Sequence, residues 1–167
     1  MEVIDTHIHF LSHNYFRLLT QLRHQYGDVD GFIADQARQH GFEPPPRDPV
    51  RLADRWAIEL DRHGVSRAVA ISAMPGDESS LYEALRVYPD RFIGVATVNP
   101  FLAVADELVE HAVRHWGFRG IALYPSLYRF SANSERVYPL YRLVPRVEAP
   151  ARPRLAAWFY GYKAPER

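Results

Sequence analysis

The sequence predicts an α/β fold of repeated β/α units on a parallel sheet. Three observations carry that prediction. Short apolar runs recur at residues 3–10, 68–71, 92–98 and 120–124. Between them lie stretches whose apolar residues return every three to four positions, the period of an amphipathic helix. The later runs are apolar on both faces, as strands covered by helices on both sides are. Strands alternating with helices give parallel neighbours joined by right-handed crossovers.

The elements follow in order. Val3-Ile4-Asp5-Thr6-His7-Ile8-His9-Phe10 reads as the first strand. A long connection, residues 11–48, comes next, with a helix expected near 15–26 and another near 32–40. It ends in Pro44-Pro45-Pro46, a stiff extended spacer. Connections of this length usually carry function, often as a lid. Asp48-Pro49 is a helix start, Asp48 as cap and Pro49 in the first turn. Leu52, Trp56 and Leu60 mark that helix's apolar face, and Gly64 its stop. Ala68-Val69-Ala70-Ile71 is the second strand. Asp77 is read as the cap of the next helix, with Leu81, Ala84, Leu85 and Tyr88 buried and Pro89 ending it. The third strand is Phe92 to Val98. The helix after it is expected to bury Val104, Leu108, Val109, Ala112 and Trp116. Gly120-Ile121-Ala122-Leu123-Tyr124 is the fourth strand. A further helix is expected to begin over 137–141.

Past Arg142 the rhythm stops. Pro145, Pro150, Pro153 and Pro165 stand among five arginines, and prolines so spaced prevent a long helix. No fifth strand of the earlier quality is expected. The chain therefore divides into residues 1–141, carrying the β/α units, and an irregular Pro/Arg-rich tail, 142–167. The tail's composition suggests a shifted reading frame or a degraded gene end.

Bulk properties exclude several classes. The 167 residues suit one domain with a real core, and 47% are hydrophobic. Twenty basic and twenty acidic side chains cancel, so no global field points to nucleic acid or an anionic membrane. The absence of cysteine removes disulfides, thiolate ligands and a cysteine nucleophile. No basic stretch followed by an apolar one opens the chain, and no run of about 18 apolar residues could span a bilayer. A soluble, cytoplasmic protein without nucleic-acid or membrane partners is the expectation.

The chemistry starts at His7 and His9. Side chains alternate on a strand, so the two imidazoles share a face and can converge on one divalent ion. They lie at the carboxyl end of the first strand, where β/α folds carry their sites. Asp5 has the same parity and is placed to orient a ligand from behind. The plainer reading is two histidines packed at a strand end.

At this point the sequence resembles the amidohydrolase superfamily, whose opening motif Val3 to His9 matches. Gly117-Phe118-Arg119-Gly120-Ile121-Ala122-Leu123-Tyr124-Pro125 resembles the fourth-strand motif of its amidohydrolase-related branch. Arg91-Phe92-Ile93-Gly94 to Asn99-Pro100 is similar to the third strand. The resemblance covers residues 1–141. It implies an eight-stranded β/α barrel, here truncated to the first four units, with a divalent metal, usually zinc, held by His7 and His9. It implies a hydrolase or a decarboxylase acting on a small carboxylic substrate. The family's later ligands, a histidine and an aspartate, have no counterpart: no histidine follows His115 and no aspartate follows Asp106. Ala122 stands where some members carry a bridging lysine, which argues against a two-metal site. No catalytic residue can be nominated.

Other candidates are weighed against plainer roles. His13, just past the pair, and Asn99 and Tyr124, at strand ends, are candidate substrate contacts, as are Ser72 and Tyr128. The alternative for each is loop packing. His111 and His115 sit four apart but lack a zincin's glutamate, so a solvated helix face is expected. His63 suits a helix end. Asp28 and Asp30 read as turn residues, since the rest of a calcium loop is absent. The basic, aromatic tail matches no RNA-binding module. A half-barrel would leave two sheet edges open, so a homo-oligomer through those edges is expected. The competing reading is a non-catalytic remnant or interaction fragment. A metal-dependent nuclease sharing the first motif is a third.

Overall fold

The computed structural model describes residues 2–23, 27–143 and 156–159. The chain divides into two units, residues 1–93 and 94–167.

The first unit contains β1 (Ile4–Phe10), α1 (His13–Leu22), α2 (Val29–His40), α3 (Pro49–Arg62), β2 (Arg67–Ser72) and α4 (Glu78–Val87). β1 and β2 pair in parallel, with His9 opposite Ile71 and Phe10 opposite Ser72. The ladder is irregular between Asp5, opposite Ala68, and Ile8, opposite Ala70. Thr6 and His7 thus face the single residue Val69, a β-bulge. β2 is buried along its length after Arg67, as expected of a strand covered on both faces. The core is built from Phe10, Ala53, Leu60, Ala68, Ala70, Ile71, Leu81 and Ala84. Asp48 caps α3 through a 2.9 Å bond from Val50 N, and Pro49 occupies its first turn. Beyond the cap residue His63, Gly64 takes φ +65°, a conformation that favours glycine. The expected helix at 15–26 is displaced to α1. Residues 24–26 of that expectation lie outside the described residues.

β3 (Phe92–Thr97) begins at the end of the first unit and runs into the second. The second unit continues with α5 (Ala105–Arg114), β4 (Gly120–Leu123), α6 (Pro125–Tyr128) and α7 (Tyr138–Leu143), the last preceded by a 3-10 turn at Glu135–Val137. β5 (Ala156–Phe159) completes it. β3 pairs with β4 and β4 with β5, both in parallel. Val95, Val109, Val113, Phe118, Ile121, Leu123, Val137 and Leu140 form the core of this unit. Among the described residues no helix is long and apolar enough to cross a membrane.

Three expectations need correction here. α5 buries Ala105, Val109, Ala112 and Val113, while Val104 and Leu108 are exposed. The apolar residues on this segment exceed one face, and the stripe at i, i+4, i+7, i+8 from Ala105 is the one that fits. Val104 stands outside the helix as its cap residue. A fifth strand exists where none of quality was expected. Residues 156–159 have no alternation to reveal them, and their strand character comes from backbone pairing with β4. Asp77 occupies a cap position but makes no side-chain cap bond, because its carboxylate is engaged elsewhere. The proposed tail over 142–167 falls mostly on residues outside those described.

Candidate functional site

At the carboxyl end of β1 the Nε2 atoms of His7 and His9 are 3.0 Å apart. The rings meet edge to face, with centroids 4.8 Å apart and planes at 72°. The bulge explains how His7 is held. Its backbone N–H donates to Asp5 Oδ1, at 2.9 Å. Asp5 therefore orients His7 through the main chain. His7 is exposed and His9 half-buried. Burial, and then the neighbouring His7, hold the His9 imidazole below its ordinary pKa. That direction favours the neutral imidazole, the form a metal ligand requires.

The donor set fits a divalent cation. Two nitrogens each about 2.1 Å from one ion, at a right angle, stand about 3.0 Å apart. A tetrahedral pair stands about 3.4 Å apart, within reach of small ring rotations. Among the described residues, however, no group of three or more His, Asp, Glu or Cys side chains is arranged to hold a metal ion.

His9 also lines a cavity of ≈ 490 Å³ within the first unit. Its walls are mainly apolar: Leu11, Phe16, Phe42, Pro45, Leu52 and Trp56. Arg55, Glu43 and Glu59 supply charge at its margin. Arg55 is anchored at 3.0 Å to Glu43 and at 2.7 Å to the Pro44 carbonyl. Glu59 meets His63 at 2.9 Å and Arg62 at 2.8 Å. Residues from α1, from the extended stretch before α3 and from α3 together close a pocket against the end of β1.

Two acidic residues tie this connection down. Asp30, at the start of α2, accepts from His13 Nε2 at 2.8 Å and from Arg47 through its other oxygen. Those two hydrogen bonds, His13 first, hold its carboxyl below the usual range. Asp77 is fully buried and accepts from Ser12, Asn14 and Ser80. Burial pushes its carboxyl up, in spite of those three donors. Neither role is visible in the sequence, because the partners are 17, 63 and 65 residues away or presented by another helix turn. The aromatic lining residues Phe16, Phe42 and Trp56 were likewise not singled out as a pocket.

The remaining candidates are placed as follows. His13 is mostly buried and faces Asp30. Ser72 is buried at the end of β2. Asn99 lies two residues beyond β3, and its Oδ1 accepts from Phe101 N at 3.0 Å, a local turn. Tyr124 follows β4 as the residue before α6, and Tyr128 ends that helix; both are half-buried. His111 and His115 are exposed on α5, as expected of a solvated face. His63 caps α3. Asp28 caps α2, accepting from Gly31 N at 2.8 Å, so its reading as a turn residue is close.

Comparison with known proteins adds three findings. A family model described as amidohydrolase matches residues 4–152. No curated protein matches the chain. Among solved structures it is similar to a 5-carboxyvanillate decarboxylase from Novosphingobium aromaticivorans, solved with bound manganese and 3-methoxy-4-hydroxy-5-nitrobenzoic acid, at 22% identity and TM-score 0.62. The match covers 89% of this chain and 49% of that one, so the chain spans about half the decarboxylase's length. The likeness is one of fold: parallel β/α units of the kind a β/α barrel repeats, as the strand–helix rhythm predicts.

Proposed function

The chain belongs to the amidohydrolase family, and from that membership we propose that it is a metal-dependent hydrolase or decarboxylase for a small organic carboxylic acid. His7 and His9 would hold the metal, manganese or zinc. One observation carries the reading: a 3.0 Å imidazole pair stands at a strand's carboxyl end, and His9 opens on an aromatic cavity.

When bound, a divalent cation supplies Lewis-acid polarisation of a substrate oxygen and lowers the pKa of water. The chain's own residues supply the rest of the setting. Phe16, Phe42 and Trp56 offer flat apolar walls for a planar substrate body and exclude water from it. Arg55 brings a cationic group to the cavity margin, held in place by Glu43 and the Pro44 carbonyl. Asp5 fixes the backbone of His7 and so the direction from which its ring approaches. Among the described residues no third ligand joins the pair, and no residue is assigned the proton-transferring role.

That last point favours a second reading. With no third His, Asp or Glu gathered at the pair among the described residues, the chain fits a non-catalytic member that keeps the pocket half. One experiment separates the two. The full chain is loaded with Mn²⁺ or Zn²⁺, dialysed and analysed for metal, beside a His7→Ala/His9→Ala double variant. The enzyme reading expects stoichiometric metal in the parent, its loss in the variant, and CO₂ or hydrolysis product from substituted benzoates. Metal retained equally by the variant, or absent from both, overturns it.

A further inference from the structure

We propose that Asp77 is a positioning residue for His9, acting through the turn that follows it. The consequence for metal binding rests on the reading of His7 and His9 as ligands; the positioning itself does not.

The turn starts at once after the histidine. Leu11 N donates to His9 O at 3.0 Å, and Ser12 N donates to Phe10 O at 3.0 Å. The backbone of residues 11–12 is therefore bonded directly to the peptide units that carry His9. Ser12 then caps α1, its Oγ accepting from Tyr15 N at 2.9 Å. With that acceptor role filled, the hydroxyl proton of Ser12 is directed to Asp77, whose two oxygens lie 2.7 and 2.8 Å away. Asn14 Nδ2 donates to the same carboxylate at 2.8 Å, and more loosely to Gly76 O at 3.3 Å. Ser80 donates to it at 2.7 Å from the first turn of α4.

Asp77 is itself anchored. It lies on the β2–α4 connection, and β2 ends at Ser72, directly opposite Phe10 in the ladder. The Phe10–Ser72 rung and the Ser12–Asp77 bonds thus close a ring of contacts around the chain's exit from β1. Asp77, Ser12 and Ser80 are all buried. A carboxylate at zero exposure is unfavourable unless fully hydrogen-bonded, and an apolar group of that size would pack there more cheaply. What the carboxylate adds is direction. It accepts from two side chains of the segment that starts two residues beyond His9, and an apolar group accepts from neither.

The test uses the full chain, metal-free and ¹⁵N-labelled on histidine, with Asp77→Leu, Asp77→Asn and Asn14→Ala variants. Side-chain ¹⁵N–¹H spectra report the His9 ring, with His63 and His111 as internal controls. The expected result is displaced His9 resonances and weakened His7–His9 ring contacts in Asp77→Leu. Asp77→Asn, which keeps one acceptor oxygen for Ser12, restores part of the wild-type pattern. The same proteins titrated with Co²⁺ show an affinity about tenfold weaker in Asp77→Leu, the scale on which outer partners of metal ligands act. A lower melting temperature with unmoved His9 resonances makes Asp77 merely structural and overturns the proposal. Should Asp77→Leu not fold, Asn14→Ala removes one strut and is judged by the same spectra. Wild-type chain that takes up no Co²⁺ defeats the metal reading alone, and the ring spectra still decide the role of Asp77.

Discussion

Replacing Phe16 by alanine tests whether the pocket wall is also part of the core. Phe16 is 4% exposed, stacked on Phe42 at 5.7 Å and 18°, with Tyr15 and Phe32 edge-on at 5.0 and 6.4 Å. A phenylalanine buries about 150 Å² or more, worth about 4 kcal/mol at 25 cal/mol per Å². Truncation in a closed core adds a term for the void left behind. Here the void opens into the existing ≈ 490 Å³ cavity, where water can enter, so that term is small. The expected loss is about 3 kcal/mol, the low end for Phe→Ala. Phe16→Leu should lose about 1 kcal/mol, since most of the volume is kept. Urea unfolding of the full chain measures both, with the slope unchanged and only the midpoint moving. A double-mutant cycle with Phe42→Ala should give a coupling of about 1 kcal/mol for the stacked pair. A loss below about 1 kcal/mol for Phe16→Ala, or no coupling to Phe42, refutes the argument that this aromatic cluster supports the unit.

The remaining predictions are briefer. Asp48→Ala removes the cap of α3 and should destabilise by about 1 kcal/mol, with Asp48→Asn near wild type, both read from denaturant midpoints. Asp77 gives a pH dependence with a definite sign. Its folded carboxyl is raised above the ordinary 3.8 by burial, so the folded state holds that proton more tightly than the unfolded chain. Its favourable contribution is complete below the ordinary carboxylate value and is lost as pH rises through the folded value. Asp77→Asn carries no such proton. Wild-type stability measured against Asp77→Asn should therefore decline on going from pH 4 toward neutrality, and a difference that grows with pH contradicts the assignment.

Four strands, the start of α3 and the spacing of the histidine pair were legible because each is written locally. Asp48-Pro49, the all-apolar run at 68–71 and the His-x-His spacing need only neighbours within a turn or a pleat. What escaped was either ambiguous in period or distant in sequence. α5 carries more apolar residues than one face holds, so Leu108 read as buried although it is exposed. β5 has no pattern of its own and is defined by pairing with β4. Thr6 and His7 looked like ordinary strand residues, and nothing in their types announces a bulge. Asp77 was read as a helix cap, the commonest use of an aspartate there. Two of its three partners, Ser12 and Asn14, stand at the start of α1, 65 and 63 residues earlier. Asp30 shows the same limit: read as a turn residue, it lies in the first turn of α2 and is the meeting point of His13 and Arg47.

Every residue that lines the cavity lies between His9 and Glu59, and His7 stands two positions before it. The histidine pair and the aromatic wall therefore lie on one contiguous stretch of chain. Recombination of β/α half-barrels can exchange everything downstream of α3 without breaking that stretch. In such a lineage the shape of the pocket and the chemistry beside it become separable traits, free to evolve at different rates.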